Sequence, residues 1–203
     1  MQKIKITYFD MDGGRGEPIR LVLSLANIPF EDERLAFADF SEKRPHYPFQ
    51  AVPVAEIDGD VMAQTNSLLR YFGRQCGLYP EDLKQALRCD EMMDALEDLS
   101  NHIGQSFGLK GEAQKAARQK LIEEKFRPYF KTFEARLNHY GSDYVAGDAL
   151  SVADLKLFAW AGTIKRGVLD HVPTDFIDKE APRVAALVQR VSQLPAIVEF
   201  YKR

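Results

Sequence analysis

The 203 residues are 45% hydrophobic and 11% aromatic, enough apolar material for one large folded unit or two small ones. A net charge of −3 gives no general pull toward nucleic acid or an anionic membrane surface, and no apolar run approaches the roughly 20 residues that span a bilayer. Two cysteines, Cys76 and Cys89, exclude a disulfide framework, and the alternating start MQKIKITYF lacks a signal-peptide core, so a cytoplasmic location is expected.

Residues 3–7 (KIKIT) alternate as a strand does. Gly13, Gly14 and Gly16 loosen the chain before Glu17-Pro18 opens an apolar helical run through Ile19, Val22, Leu23 and Leu25. Asn27-Ile28-Pro29 ends that helix, and residues 30–35 read as a second strand. Residues 53–57 and 60–63 flank Asp58-Gly59, a hairpin signal because that pair tolerates positive φ. Thr65 begins a helix through Leu68, Leu69 and Phe72, with Gly77 just past its end. The order β-α-β, an irregular helical stretch, then β-β-α predicts a small mixed sheet, an α/β thioredoxin-like domain over residues 1–79.

After Tyr79-Pro80 no alternation returns. Leu83, Leu87, Met93, Leu96, Leu99 and Ile103 mark one amphipathic helix; Ala113, Ala117, Leu121, Phe126, Phe130, Phe133 and Leu137 mark another, which Pro128 should bend. Ser151 and Asp154 have capping-box spacing, with Leu150 and Leu155 placed to close a hydrophobic staple. Ala181-Pro182 and Pro195 start two further helices. Residues 82–203 are expected to form an all-α domain of five or six helices.

In redox proteins of thioredoxin-like layout, a Cys-x-x-Cys stands at the end of the first strand. Here that place reads Tyr8-Phe9-Asp10-Met11-Asp12, which supplies no dithiol. It supplies a phenol. A Tyr8 hydroxyl can donate to a thiolate and so lower the pKa of a bound thiol; an ordinary strand aromatic fits the spacing as well. Val52-Pro53 precedes a strand. A cis bond there would turn the Val52 backbone outward to pair with an extended peptide, while general frequencies favour trans. Gln64-Thr65 opens a helix whose free N–H groups suit a carboxylate, unless Thr65 only caps its own helix.

Several segments in order resemble the sigma class of glutathione transferases: TYFDMDGGRGEPIR, ADF…PF…VP, EIDGDVMAQTNSLLRYFGR, ALSVADLKLF and LPAIVEFYK. The resemblance covers nearly the whole chain. It implies a cytosolic homodimer that uses glutathione as co-substrate and attacks hydrophobic electrophiles. By position, Tyr8 holds the thiolate and Arg15 lies near the sulfur. Phe40 stands where the family has a tryptophan, and Arg44 binds the glycyl carboxylate. Val52, with a cis Pro53, pairs with the cysteinyl backbone; Gln64 and Thr65 hold the γ-glutamyl group; Asp98 reaches that group from the partner subunit. Ala51 departs from the usual Lys or Gln, and Gln50 is the neighbour able to compensate. Phe9, Arg15, His102 and parts of the Leu155–Ile164 helix are the candidates for the electrophile pocket.

Relatives of this kind also include glutathione-dependent isomerases of the prostaglandin-converting type, peroxidases, and ligand-binding or lens proteins of low activity. The altered Phe40 and Ala51 keep the last group in view. His46, His102, His139 and His171 lack metal-ligand spacing, and Asp94, Glu97 and Asp98 read as a solvated helix face, so no metal is expected. The 110–131 stretch mixes its lysines with Glu112, Glu123 and Glu124 and reads as a charged helix face, not a nucleic-acid patch.

Overall fold

In a computed structural model, which describes residues 2–202, the alternating start of the chain becomes β1 (Ile4–Phe9) and the apolar run after the glycines becomes α1 (Glu17–Leu25). β2 (Glu31–Leu35) returns parallel to β1. After α2 (Phe40–Lys43) and two single 3-10 turns come β3 (Val54–Ile57) and β4 (Asp60–Ala63). The sheet order is β2-β1-β3-β4, with β3 antiparallel to both of its neighbours. Asp58 and Gly59 both take positive φ, as a two-residue hairpin turn needs.

Side chains alternate across a strand, so Ile4, Ile6 and Tyr8 share one face of β1. The two isoleucines pack into a core with Ile19 and Leu23 of α1 and with Leu68, Leu69 and Phe72 of α3 (Thr65–Gln75). Tyr8, at the end of the same row, belongs instead to a small cluster with Leu35 and Val52. On the other face, Thr7 donates to Glu33 at 2.6 Å.

The rest of the chain is helical: α4 (Leu83–Gly104), α5 (Gly111–Leu121), α6 (Arg127–Tyr140), α7 (Val152–Lys165), α8 (Phe176–Glu180), α9 (Pro182–Ser192) and α10 (Pro195–Phe200). Among the described residues these make six helical runs, within the five or six expected, because α5 and α6 are one continuous run. A π-helical turn over Ile122–Phe126 joins them with right-handed helical dihedrals at both junctions, and Pro128 follows directly, in a helix locally widened to take its ring. α8, five residues long, is too short to show periodicity.

α7 runs through the centre, against α1, α4 and α9. Its Trp160 clusters with Phe126, Phe130 and Phe176, neighbouring ring centroids lying 5.2–6.0 Å apart. Its N-terminus carries the expected capping box. The Asp154 carboxylate accepts from the Ser151 amide at 2.8 Å and the Ser151 hydroxyl at 2.6 Å, and its second oxygen accepts from the Val145 amide at 2.8 Å. Among the described residues no helix is long and apolar enough to cross a membrane.

Candidate functional site

A cavity of about 260 Å³ opens where four segments meet: the β1–α1 loop, the loop before β3, the start of α3 and the middle of α4. Arg15, Val52, Pro53, Gln64, Thr65 and Glu97 line it. The Val52-Pro53 bond is cis. Three non-glycine residues around this space take positive φ: Phe49 at 56°, Gln50 at 51° and Gln64 at 73°. Such conformations are unfavourable for L-residues and gather where function over-determines the backbone. Gln64 leads into α3, whose first residue, Thr65, is buried. Gln64 and Thr65 line the cavity, so the start of α3 borders it, and a helix start favours an anion.

Tyr8 lies beside the cavity, against Val52, and is only 6% exposed. Its hydroxyl oxygen accepts a hydrogen bond from the Arg15 amide at 3.0 Å. That contact uses a lone pair and leaves the hydroxyl hydrogen free to donate. Burial pushes the phenol's pKa up, against the opposing pull of the Arg15 amide and of the Arg15 and Arg20 charges. The Arg20 guanidinium stands 5.8 Å from the ring centre, fixed by Asp32 at 2.7 Å. Tyr8 is thus a neutral donor at neutral pH, suited to an anion placed against it.

The loop over Tyr8 is glycine-rich because it must come close. A Cβ on Gly14 would lie 2.5 Å from the Tyr8 hydroxyl oxygen, and one on Gly16 would overlap the ring. The same loop is held from behind by buried Glu17, which accepts from the Gly13 amide and from the Tyr201 hydroxyl.

Arg15 is fixed by two partners on α4. Its Nε meets Glu97 Oε1 at 2.5 Å, and its terminal nitrogen donates to Asn101 Oδ1 at 2.8 Å. The other oxygen of Glu97 accepts from Lys156 of α7 at 2.9 Å. Sequence reasoning missed Asn101 and Lys156 and left Glu97 on a solvated face. The available signal was a lysine inside the otherwise apolar LKLFAW.

The structure brings Tyr8, Arg15, Val52, Pro53, Gln64 and Thr65 together, with Phe9 and Phe40 packed against the Tyr8 cluster, while Arg44, Gln50, Asp98 and His102 do not line the cavity. Phe9, at the end of β1, meets the Tyr8 ring edge to face at 5.3 Å and packs on Phe37 and Phe40, with centroids 4.4 and 5.0 Å away. Phe40 supports Phe9 and packs with it against the Tyr8, Leu35 and Val52 cluster. Arg44 is exposed and donates to the Gln50 carbonyl at 3.1 Å, and Gln50 itself turns outward at the rim. Asp98 is exposed beside the Tyr129 hydroxyl of α6. His102 lines a separate cavity with Gln105, Ser106 and Lys120. Of the acidic set, Asp94 accepts from Asn66 at 2.6 Å and pairs with Arg70 at 3.5 Å, and Glu97 is taken by its two cations. Among the described residues no three His, Cys, Asp or Glu side chains group as a metal site would need.

Residues 97–203 match the profile of the glutathione S-transferase C-terminal domain. The chain is 33% identical over 202 residues to glutathione S-transferase A3 of Homo sapiens, covering 98% of this chain and 87% of that one. It is 29% identical over 205 residues to glutathione S-transferase 1 of Ascaris suum, covering 97% and 94%. Among solved structures, prostaglandin synthase D of Nilaparvata lugens superposes with a TM-score of 0.88 at 30% identity, covering 99% and 98%.

Proposed function

The chain belongs to the glutathione S-transferase family, and from that premise we propose that it is a glutathione transferase whose Tyr8 hydroxyl donates to the glutathione thiolate. The observation that carries this reading is the Tyr8 hydroxyl itself. It is protonated, its acceptor side is filled by the Arg15 amide, and it stands beside a cavity walled by Arg15, Val52 and the start of α3.

Glutathione lies along that wall. Its γ-glutamyl carboxylate meets the α3 amides at Gln64 and Thr65, its cysteinyl backbone pairs with Val52 beside Pro53, and Arg44 takes the glycyl carboxylate from the rim, near Gln50 and Phe40. The sulfur reaches Tyr8 and Arg15. A hydrogen bond and a nearby guanidinium favour the anion, so the thiol ionises nearer neutral pH. The thiolate then forms a C–S bond with an electrophile as the leaving group departs with its electron pair. The electrophile lies against Arg15 and α4, with Phe9, whose ring centre stands 5.3 Å from that of Tyr8, at its side; His102 opens onto a separate cavity.

The division into residues 1–79, which hold glutathione, and 82–203, which complete the electrophile pocket, belongs to this reading. So do the sigma-like class, on the motif around Tyr8, a cytoplasmic location, and a homodimer. The dimer is supported by Phe49, an aromatic 76% exposed at the cavity rim, and by an apolar groove between α4 and α6 lined by Met92, Ala95, Tyr129 and Phe133. Asp98 stands next to Tyr129, so a partner covering that groove would place Asp98 within reach of a neighbouring site. Glutathione-dependent isomerisation or peroxide reduction by the same thiolate is a second reading, favoured by the likeness to prostaglandin synthase D.

Conjugation of an aryl halide by wild type and Tyr8→Phe tests the proposal. The expected loss is at least about tenfold, or about 1.4 kcal/mol of transition-state stabilisation. Equal rates would remove Tyr8 from the chemistry.

A further inference from the structure

α7 is apolar on nearly every side, yet one of its buried residues is a lysine: Lys156 is 3% exposed. A buried ammonium is tolerated when its hydrogens all find acceptors. Here Nζ donates to Asn66 Oδ1 at 2.5 Å, to the Met93 carbonyl at 2.9 Å and to Glu97 Oε2 at 2.9 Å. Asn66 follows Thr65 at the start of α3. Glu97 lines the cavity and holds Arg15 by its other oxygen. A side chain from outside the cavity thus ties two of its walls together.

We infer that Lys156 is a positioning residue that sets the charge Arg15 presents to a bound thiolate, by sharing the Glu97 carboxylate with it. The inference rests on the thiolate reading above and deepens it. Were Glu97 paired with Arg15 alone, the two opposite charges 2.5 Å apart would largely cancel at the cavity wall. With Lys156 on the second oxygen, one negative charge is divided between two cations, and Arg15 keeps a net field for an anion.

The protonation states agree. Burial resists ionisation of Glu97, but Lys156 and Arg15 outweigh it and hold the carboxyl below its usual range. Burial pulls Lys156 down, and Glu97 opposes that pull. The charged groups facing Lys156 are Glu97 and Asp94 from α4 and Arg15 from the loop; α3 contributes the neutral Asn66. Asp94 is 63% exposed with Arg70 as its own partner, so water and salt screen it.

The test is ultraviolet titration of the thiolate of glutathione bound to the full chain. Lys156→Met keeps the volume without the charge, and Lys156→Gln also keeps a donor for the Met93 carbonyl. Each should raise the bound thiol's pKa by about half a unit or more. In a Glu97→Gln background, where no carboxylate remains to be shared, Lys156→Met should add no further shift. A role confined to packing would move stability and leave the thiol's pKa alone. An acidic wild-type thiol unmoved by either variant would overturn the inference, and so would an equal shift in the Glu97→Gln background. A wild-type thiol no more acidic than free glutathione would overturn the thiolate reading, and this inference with it.

Discussion

Replacing Asp154 by alanine should destabilise the protein by about 3 kcal/mol. The carboxylate is fully buried and accepts three hydrogen bonds, two from the Ser151 and Val145 amides and one from the Ser151 hydroxyl. Alanine leaves both amides buried without partners. Each orphaned donor costs about 1–3 kcal/mol, giving about 2–6 together. Removing a buried carboxylate offsets part of this. Burial raises the Asp154 pKa to about 6 despite those donors, against about 3.9 for an exposed aspartate. Between those values the folded chain binds a proton that the unfolded chain has released. Stability linked to this group is therefore full below about pH 4 and is lost as pH rises to about 6. Denaturant unfolding of wild type, Asp154→Ala and Asp154→Asn across pH 4–8 checks both effects. The alanine variant should also lose about 6–12 °C in Tm for a chain of this size. The negative slope between about pH 4 and 6 should be weaker in both variants. A loss under about 1 kcal/mol, or an unchanged slope, would refute the account of how α7 begins.

Gly16→Ala should force the Tyr8 ring aside and lower kcat/KM in aryl halide conjugation by about a hundredfold, since roughly an ångström of misplacement has that effect; unchanged kinetics would show that the loop yields freely. Tyr201→Phe leaves the Glu17 carboxylate, 1% exposed, with the Gly13 amide as its remaining partner, and should lose about 1–3 kcal/mol in denaturant unfolding. Burial pushes the Cys89 thiol up to about 12. A maleimide at pH 8 should therefore label the half-buried Cys76 slowly and reach Cys89 only on unfolding, as mass spectrometry would read.

Where local chemistry decides the outcome, the sequence was enough. Alternation in KIKIT, positive φ at Asp58-Gly59 and the Ser151–Asp154 spacing each specify one local structure, and each formed. The π turn before Pro128 was not legible, because apolar residues at spacings of three to five suit a helix with or without one. Phe9 and His102 were expected at the electrophile pocket. Strand alternation alone would part Phe9 from Tyr8, yet at the end of β1 their rings meet edge to face at 5.3 Å. On α4, Glu97 and Asn101, four apart, share the row that sees the cavity, while Asp98 and His102 form the next row and turn away. Lys156 had a visible oddity but no legible partners: Asn66, Met93 and Glu97 lie 90, 63 and 59 positions away, and only the packing of α3, α4 and α7 brings them to one ammonium.

The thiol itself offers the most direct measurement. Glutathione bound to the wild-type chain and to Tyr8→Phe is titrated by thiolate absorbance. The account predicts a bound thiol largely ionised at neutral pH in wild type, and one returned toward the roughly 8.5 of a free thiol once the hydroxyl is gone. The same pKa in both proteins would contradict it.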